Sequence, residues 1–308
     1  MVKVSAPGKI ILFGEHAVVY GQPALAVPVS QVHTDVEVTD SARKGIWIDA
    51  PDVNLRAELN TLPSDHPLAA VIHNLLFLAR LSSFPGLQIN IRSTIPVASG
   101  LGSGAAVTVA LTRALSSHLN TSMTDEQINA FAYEIEKLHH GTPSGIDNTV
   151  ITSARPVYFV KGQPIETFNV GVPFTLVIAD SGVAAPTKES VGDVRRLWLS
   201  DRMHWETFFD KIGKISSAAR RLIESGKPEL LGTLMDENHA LLQELTVSSP
   251  ELDRLVEAAR KAGAFGAKLS GGGRGGNMIA LVSAETADLV SHNLREAGAK
   301  NTIVTKVV

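Results

Sequence analysis

Residues 86–120 read GLQINIRSTIPVASGLGSGAAVTVALTRALSSHLN. Leu87, Ile89 and Ile91 recur at period two, the pattern of a strand with one buried face. Glycines follow at 100, 102 and 104, and then an apolar pattern of helical period. The order is strand, glycine-rich loop, helix. Such a loop gathers backbone N–H groups at the positive end of a helix dipole, and residues without side chains let a polyphosphate come close. Gly100, Gly102 and Gly104 are also free to take positive φ. A tight turn without a ligand is the competing reading. The stretch is not a Walker A loop, because no Gly-Lys-Ser/Thr follows. It also lacks the downstream acidic residue of a dinucleotide-binding βαβ unit.

Outward from this loop, the 308 residues suit two domains of roughly 150 residues each. A formal net charge of −3 makes a small molecule the default partner, with no nucleic acid and no membrane expected. The absence of cysteine excludes disulfides, thiolate zinc sites and cysteine nucleophiles, and is compatible with a cytoplasmic protein. The opening MVKVSAPGKI has neither the charged nor the apolar region of a signal peptide. The most apolar helical stretch, residues 67–81, contains His73, Asn74 and Arg80. It is too short and too interrupted to span a bilayer, and reads as a core helix.

Residues 2–21 read as two short strands separated by a loop at residues 6–9. Thr124 and Gln127 form a capping box that opens a helix over DEQINAFAYEIEKLHH, ended by Gly141 and Pro143. VPFTLVIADSG reads as a buried strand. A long helical region follows from about residue 188 to 224, with a break expected near Gly213. Ser249 and Pro250 supply an N-cap and a first-turn proline. AFGAKLSGGGRGGNMIALVSA reads as a glycine-rich loop feeding a strand, Ser283 as the start of a last helix, and TIVTKVV as a closing strand.

Three further stretches stand with the first loop: APGKIILFGEHAVVYG at 6–21, EKLHHGTPSGIDN at 136–148 and KLSGGGRGGN at 268–277. With PVASGLGSGAA, and in this order, they resemble the motif set of the GHMP kinases, which act on galactose, homoserine, mevalonate and phosphomevalonate. GEHAVVYG, GTPSGIDN and the segment TKESVGDVR from Thr187 resemble the branch that acts on mevalonate. The resemblance runs from about residue 5 to residue 282. It implies a two-domain α/β (α+β) fold: a ribosomal-protein-S5-like N-terminal domain with left-handed βαβ character, and a ferredoxin-like C-terminal domain. We place these at residues 1–170 and 171–308, with the site in the cleft between them. It further implies transfer of the γ-phosphoryl group of ATP, with Mg²⁺, to the primary hydroxyl of mevalonate in isoprenoid biosynthesis. It is compatible with a homodimer. Rival readings are another small-molecule kinase of the same family, acting on phosphomevalonate, on the 3-hydroxyl of mevalonate or on a sugar, and a nucleotide-binding regulator without catalysis.

The resemblance carries roles residue by residue. Pro96, Ala98, Ser99, Gly100, Leu101, Gly102, Ser103, Gly104 and Ala105 form the ATP-phosphate loop. Asp147 takes the hydroxyl proton, where the bland reading is an aspartate that braces its own turn. Lys9 beside it keeps that carboxylate ionised and draws the phosphoryl group; a solvated lysine is the alternative. Glu136 is a hard oxygen ligand for Mg²⁺, or else the partner of Lys137 or His140 in a surface ion pair. Glu15 and His16 lie near the acid substrate. Ser144 and Thr187 donate to substrate or phosphate oxygens, unless they cap a turn or a helix. Gly272, within Gly271–Gly273, lets the last glycine loop approach closely. The family commonly reads GLGSSAA where this chain has Gly104, so Ser103 or a water completes the magnesium shell. Arg274 either reaches a phosphate or points to solvent.

Overall fold

A computed structural model describes residues 1–80, 86–96, 99–140, 143–164, 166–185 and 187–308, the side chains of His139 and His140 excepted. Its strands are β1 (Val2–Phe13), β2 (Ala24–Asp40), β3 (Ile46–Ala50), β4 (Leu55–Glu58), β5 (Leu87–Ser93), β6 (Val157–Phe159), β7 (Glu166–Thr167), β8 (Phe174–Asp180), β9 (Gly266–Ser270), β10 (Asn277–Val282) and β11 (Asn301–Val307). Its helices are α1 (Pro67–Leu78), α2 (Ser103–His118), α3 (Asp125–His140), α4 (Ile146–Ser153), α5 (Thr187–Ser200), α6 (Arg202–Glu224), α7 (Leu231–Glu244), α8 (Pro250–Lys261) and α9 (Ala287–Glu296). The chain forms two compact units. One takes Met1–Gly8, Val32–Val97 and Gly102–Ala154; the other takes Lys9–Gln31, Ala98–Leu101 and Arg155–Val308.

In the first unit, β5 pairs antiparallel with β2, Val36 facing Ile91, and parallel with β3, Ile48 facing Ile89. The period-two reading of Leu87, Ile89 and Ile91 is met: all three are buried and their neighbours are not. Helices α1 to α4 pack together in this unit. Helix α2 buries Val109, Leu111 and Leu115 together with Ala105, Ala106, Ala110 and Ala114, the four alanines letting neighbouring helices come close. The capping box forms as read, with Thr124 N–H donating to Gln127 Oε1 at 2.9 Å and Gln127 N–H to Thr124 Oγ1 at 3.3 Å.

From residue 174 on, the second unit runs β8, helices α5 to α8, β9, β10, α9, β11. The strands align as β11-β8-β10-β9, all antiparallel. This is the split βαββαβ arrangement of ferredoxin-like folds. Ala267, Leu269, Met278, Ala280 and Val282 point into a core closed by Val256, Ala259, Val290 and Leu294 from α8 and α9. Ser249 caps α8 by accepting from Leu252 N–H at 3.3 Å, with Pro250 in the first turn.

Several expectations are corrected. Strand β1 runs unbroken through residues 6–9. It pairs with β2 on one side, and Lys9 N–H donates to the Leu101 carbonyl at 3.0 Å. Residues two apart face the same edge, so the N–H missing at Pro7 belongs to the edge away from β2, where proline is tolerated. The helical region breaks at Asp201, which caps α6 by accepting from His204 N–H at 3.1 Å. Gly213 lies inside α6, where a Cβ would come within 2.2 Å of Gln22 Oε1; it is a packing glycine rather than a break. The last helix starts at Ala287, four residues after Ser283, whose hydroxyl accepts from Thr286 N–H. The glycine-rich stretch at 271–276 joins two strands, β9 and β10, that pair directly. The end of the 67–81 helix reading lies partly outside the described residues. No helix among the described residues is long and apolar enough to cross a membrane.

Helix α7 and strand β9 touch through backbone. A Cβ on Gly232 would sit 2.2 Å from the Phe265 carbonyl, and one on Gly266 2.1 Å from the Gly232 carbonyl. Neither obstacle is a side chain that can swing away. Gly232→Ala is therefore expected to lower stability by about 1–3 kcal/mol, although alanine is the better helix former. Urea unfolding checks this; an unchanged or raised midpoint would contradict the close approach.

Candidate active site

The motif residues divide between the two units. The glycine loop is held first from the second unit: the Ser99 carbonyl accepts from Asn277 Nδ2 and the buried Leu101 from Lys9 N–H. Gly100 and Gly102 take φ of 78° and 76°, the left-handed region that glycine enters without penalty. Gly104 does not. It is the second residue of α2, exposed, and a Cβ there would meet nothing within 4 Å. Gly102 caps α2 with no side-chain acceptor, and no acidic residue lies in the first turn. The N–H groups of Ser103, Gly104 and Ala105 thus receive no cap from residue 102, and they form the positive end of the helix. Ser103 and Pro96 are half-buried. Ala98 lies outside the described residues.

Elsewhere in the first unit, Asp147 is half-buried in the first turn of α4, behind a left-handed Gly145. The helix is anchored around it. Asn148 Nδ2 donates to Asn129 Oδ1 at 2.6 Å and Thr149 Oγ1 to the Gly145 carbonyl at 2.6 Å. Asp147 is therefore carried on a fixed backbone at the start of a helix. Ser144 Oγ accepts from Ile146 N–H at 3.3 Å, the turn-capping role, which leaves its own proton to donate. Glu136 is half-buried on α3. Its neighbour Lys137 pairs with Glu134 at 2.5 Å, and the His140 side chain lies outside the described residues.

The second unit carries the other residues. Lys9 is 4% exposed, so it is not the solvated loop lysine. Glu15 is fully enclosed and forms an ion pair with Lys268, which also donates to the Leu269 carbonyl at 2.6 Å. Burial pushes the Glu15 carboxyl up, against the pull of Lys268 and Lys9, and pushes the Lys268 ammonium down, against the pull of Glu15. His16, at φ 60°, contacts the Gly272 carbonyl through Nε2 at 3.0 Å. A carbonyl only accepts, so Nε2 carries the proton and Nδ1 is left as an acceptor. Burial lowers His16 to about 4, so the ring is neutral near pH 7. A Cβ on Gly272 would lie 2.7 Å from Thr187 Oγ1, so the loop fits against the start of α5 only as glycine.

Sequence reading missed Lys268, Asn277 and Asp193. Lys268 opens the quoted motif KLSGGGRGGN, but its partner is 253 positions away and nothing local signals the pair. Arg274 has a protein partner that neither expectation named. Its guanidinium pairs with Asp193.

Residues 68–154 match the GHMP kinases N terminal domain and residues 219–300 the GHMP kinases C terminal domain. A mevalonate kinase of Pyrococcus abyssi is 36% identical, covering 94% of this chain and 91% of its own. A crystal structure of L. major mevalonate kinase in complex with R-mevalonate superposes with a TM-score of 0.86 at 30% identity, covering 100% of this chain and 96% of that one. The Methanococcus jannaschii mevalonate kinase gives a TM-score of 0.85 at 28% identity, covering 99% and 96%.

The chain belongs to the GHMP kinases. Its two-domain mixed α/β fold is the fold of that family. For a GHMP kinase the donor set bears on the metal. Among the described residues no three His, Asp or Glu side chains cluster as a metal cage. One carboxylate, Glu136, and one hydroxyl, Ser103, both hard oxygens, suit an Mg²⁺ that keeps waters and is held largely by nucleotide phosphates.

Two buried histidines make stability depend on pH. His16 falls to about 4 from an ordinary 6.5, and burial also depresses His239, against the pull of Asp253. Between those values the unfolded chain binds protons that the folded chain refuses. Stability contributed by neutral burial is complete above pH 6.5. It is lost as pH falls toward 4, at up to about 1.4 kcal/mol per pH unit for each histidine. Urea midpoints should decline from pH 6.5 to 4.5, and less steeply in His16→Asn. A flat profile would contradict the buried neutral rings.

Proposed function

We propose that this chain transfers the γ-phosphoryl group of ATP to the primary hydroxyl of mevalonate, giving 5-phosphomevalonate and ADP. The observation that carries the reading is likeness over nearly the whole chain to relatives named mevalonate kinase, one of them bound to R-mevalonate. The site chemistry supports it. A bond forms between the substrate oxygen and the γ-phosphorus, the bond to the β-phosphate oxygen breaks, and that electron pair leaves on ADP. The hydroxyl proton goes to Asp147. The protein's contribution is then positioning and charge.

Asp147 suits the proton acceptor because the next two residues fix the start of α4, Asn148 against Asn129 and Thr149 back onto Gly145. Lys9, buried and held by its own backbone at Leu101, supplies a cation for the developing negative charge. The N–H groups at the start of α2 receive phosphate oxygens. Ser103 and Glu136 would hold Mg²⁺, which when bound neutralises phosphate charge. The hydroxyls of Ser144 and Thr187 donate to substrate oxygens. Neutral His16 offers Nδ1 to a substrate hydroxyl, and Glu15 sits behind it in its pair with Lys268.

Asp147→Asn keeps the shape and removes the base. Turnover of ATP with mevalonate should fall by about 10²-fold or more, while ATP binding and the unfolding midpoint stay near wild type. ADP release checks the first and calorimetry the second. Near-normal turnover would end the assignment of Asp147.

A further inference from the structure

The loop at 271–276 is pinned from its middle to its far end and open at its start. Gly276 N–H donates to the Val183 carbonyl at 2.8 Å and the Gly276 carbonyl accepts from Ser181 N–H at 2.8 Å. Arg274 N–H donates to the Val247 carbonyl at 2.8 Å and its Nε to the Thr246 carbonyl at 3.2 Å. A Cβ on Gly273 would overlap that Val247 carbonyl. By contrast, a Cβ on Gly271 would meet nothing within 4 Å. Gly272 lies next to that open end, and its carbonyl receives His16.

Arg274 is out of place by backbone criteria. It holds φ 57° in a loop otherwise made of glycine, a conformation that costs a side-chain-bearing residue. Its side chain offsets that cost through a specific partner. Nη1 pairs with Asp193 Oδ2, while Arg196 occupies Asp193 Oδ1. Arg274 and Asp193 are each a little over a quarter exposed. Asp193 is six residues beyond Thr187 on α5, about 9 Å along the axis at 1.5 Å per residue. The loop therefore touches α5 at two separated points: Gly272 against Thr187, and Arg274 against Asp193. Two points fix an orientation where one leaves a pivot.

We propose that the Arg274–Asp193 ion pair is a latch that holds this glycine loop against α5, and so sets the Gly272 carbonyl, the His16 ring and the Thr187 hydroxyl for the alcohol substrate. Arg274 and Asp193 are positioning residues and do not touch substrate. The choice of mevalonate as that substrate rests on the preceding section.

Arg274→Gly, Asp193→Asn, the double variant and Arg274→Lys test the latch. Glycine takes φ 57° with less strain, so Arg274→Gly folds. Each of the first two should raise KM for mevalonate about fivefold, as expected for a partly exposed ion pair, with kcat and KM for ATP changed less than twofold. In the double-variant cycle the two changes should add to less than their sum, because the Arg274–Asp193 pair is lost in both single variants, while Arg274 alone also reaches Thr246 and Asp193 alone also holds Arg196. Arg274→Lys should recover part of the loss. Amide hydrogen exchange at Gly271–Gly273 should quicken in Arg274→Gly. Unchanged KM with unchanged exchange, or effects that add as if independent, would overturn the latch. The exchange measurement needs no substrate. A wild-type chain inactive on mevalonate would therefore refute the substrate reading while the latch is still judged.

Discussion

An ion pair between Glu15 and Lys268, both side chains at 0% exposure, organises the second unit's share of the site. Charges leave water only at high cost, and a buried pair is repaid only when both partners are present. Removing one partner typically costs about 3–5 kcal/mol, because the other is stranded. The pair thus strongly penalises any arrangement that separates the segment after β1 from β9. Two lighter contacts run beside it. Ser270 Oγ donates to the Ile11 carbonyl at 2.8 Å, and His16 reaches the Gly272 carbonyl. Residues 268, 270 and 272 all engage the segment 11–16, while Ala267 and Leu269 face the apolar core. The alternation of a strand separates the two tasks.

From this joint the candidate machinery spreads outward. Lys9 lies on the same strand as Ile11 and supports the first glycine loop through Leu101, while Asn277, opening β10, supports it through Ser99. Gly272 meets Thr187, and Arg274 meets Asp193 on the same helix. The two glycine loops are open at Gly104 and at Gly271, and are braced by hydrogen bonds at Ser99, Leu101, Arg274 and Gly276. Such an arrangement allows close approach to a ligand without surrendering position.

Much of this was legible in the sequence, for identifiable reasons. Leu87, Ile89 and Ile91 gave a strand because alternation is local. Thr124 and Gln127 gave a helix start because a capping box spans four residues, and Ser249-Pro250 did the same for α8. Readings that needed a distant partner did not come through. Pro7 read as a loop because the edge it faces is set by Leu101, far along the chain. Gly213 read as a break because its reason is the approach of Gln22 and Pro23. Gly104 read as a loop glycine and is helical, since a glycine in a first turn looks the same in sequence. Lys9 could have been a solvated lysine until its burial was seen. Arg274 read as a phosphate ligand or a surface charge because Asp193 lies on another element. The family motifs brought the loops into one list, but the Glu15–Lys268 pair that joins two of them has no local signature.

The most direct test of the account is product analysis. The protein would be incubated with Mg-ATP and, separately, mevalonate, phosphomevalonate, galactose and homoserine, with ADP counted and the new phosphate located by phosphorus NMR. The account predicts turnover on mevalonate alone, one ADP per product, and phosphate on the primary hydroxyl. Phosphate on the tertiary hydroxyl, turnover only on another alcohol, or ATP binding without turnover on any of the four would contradict it.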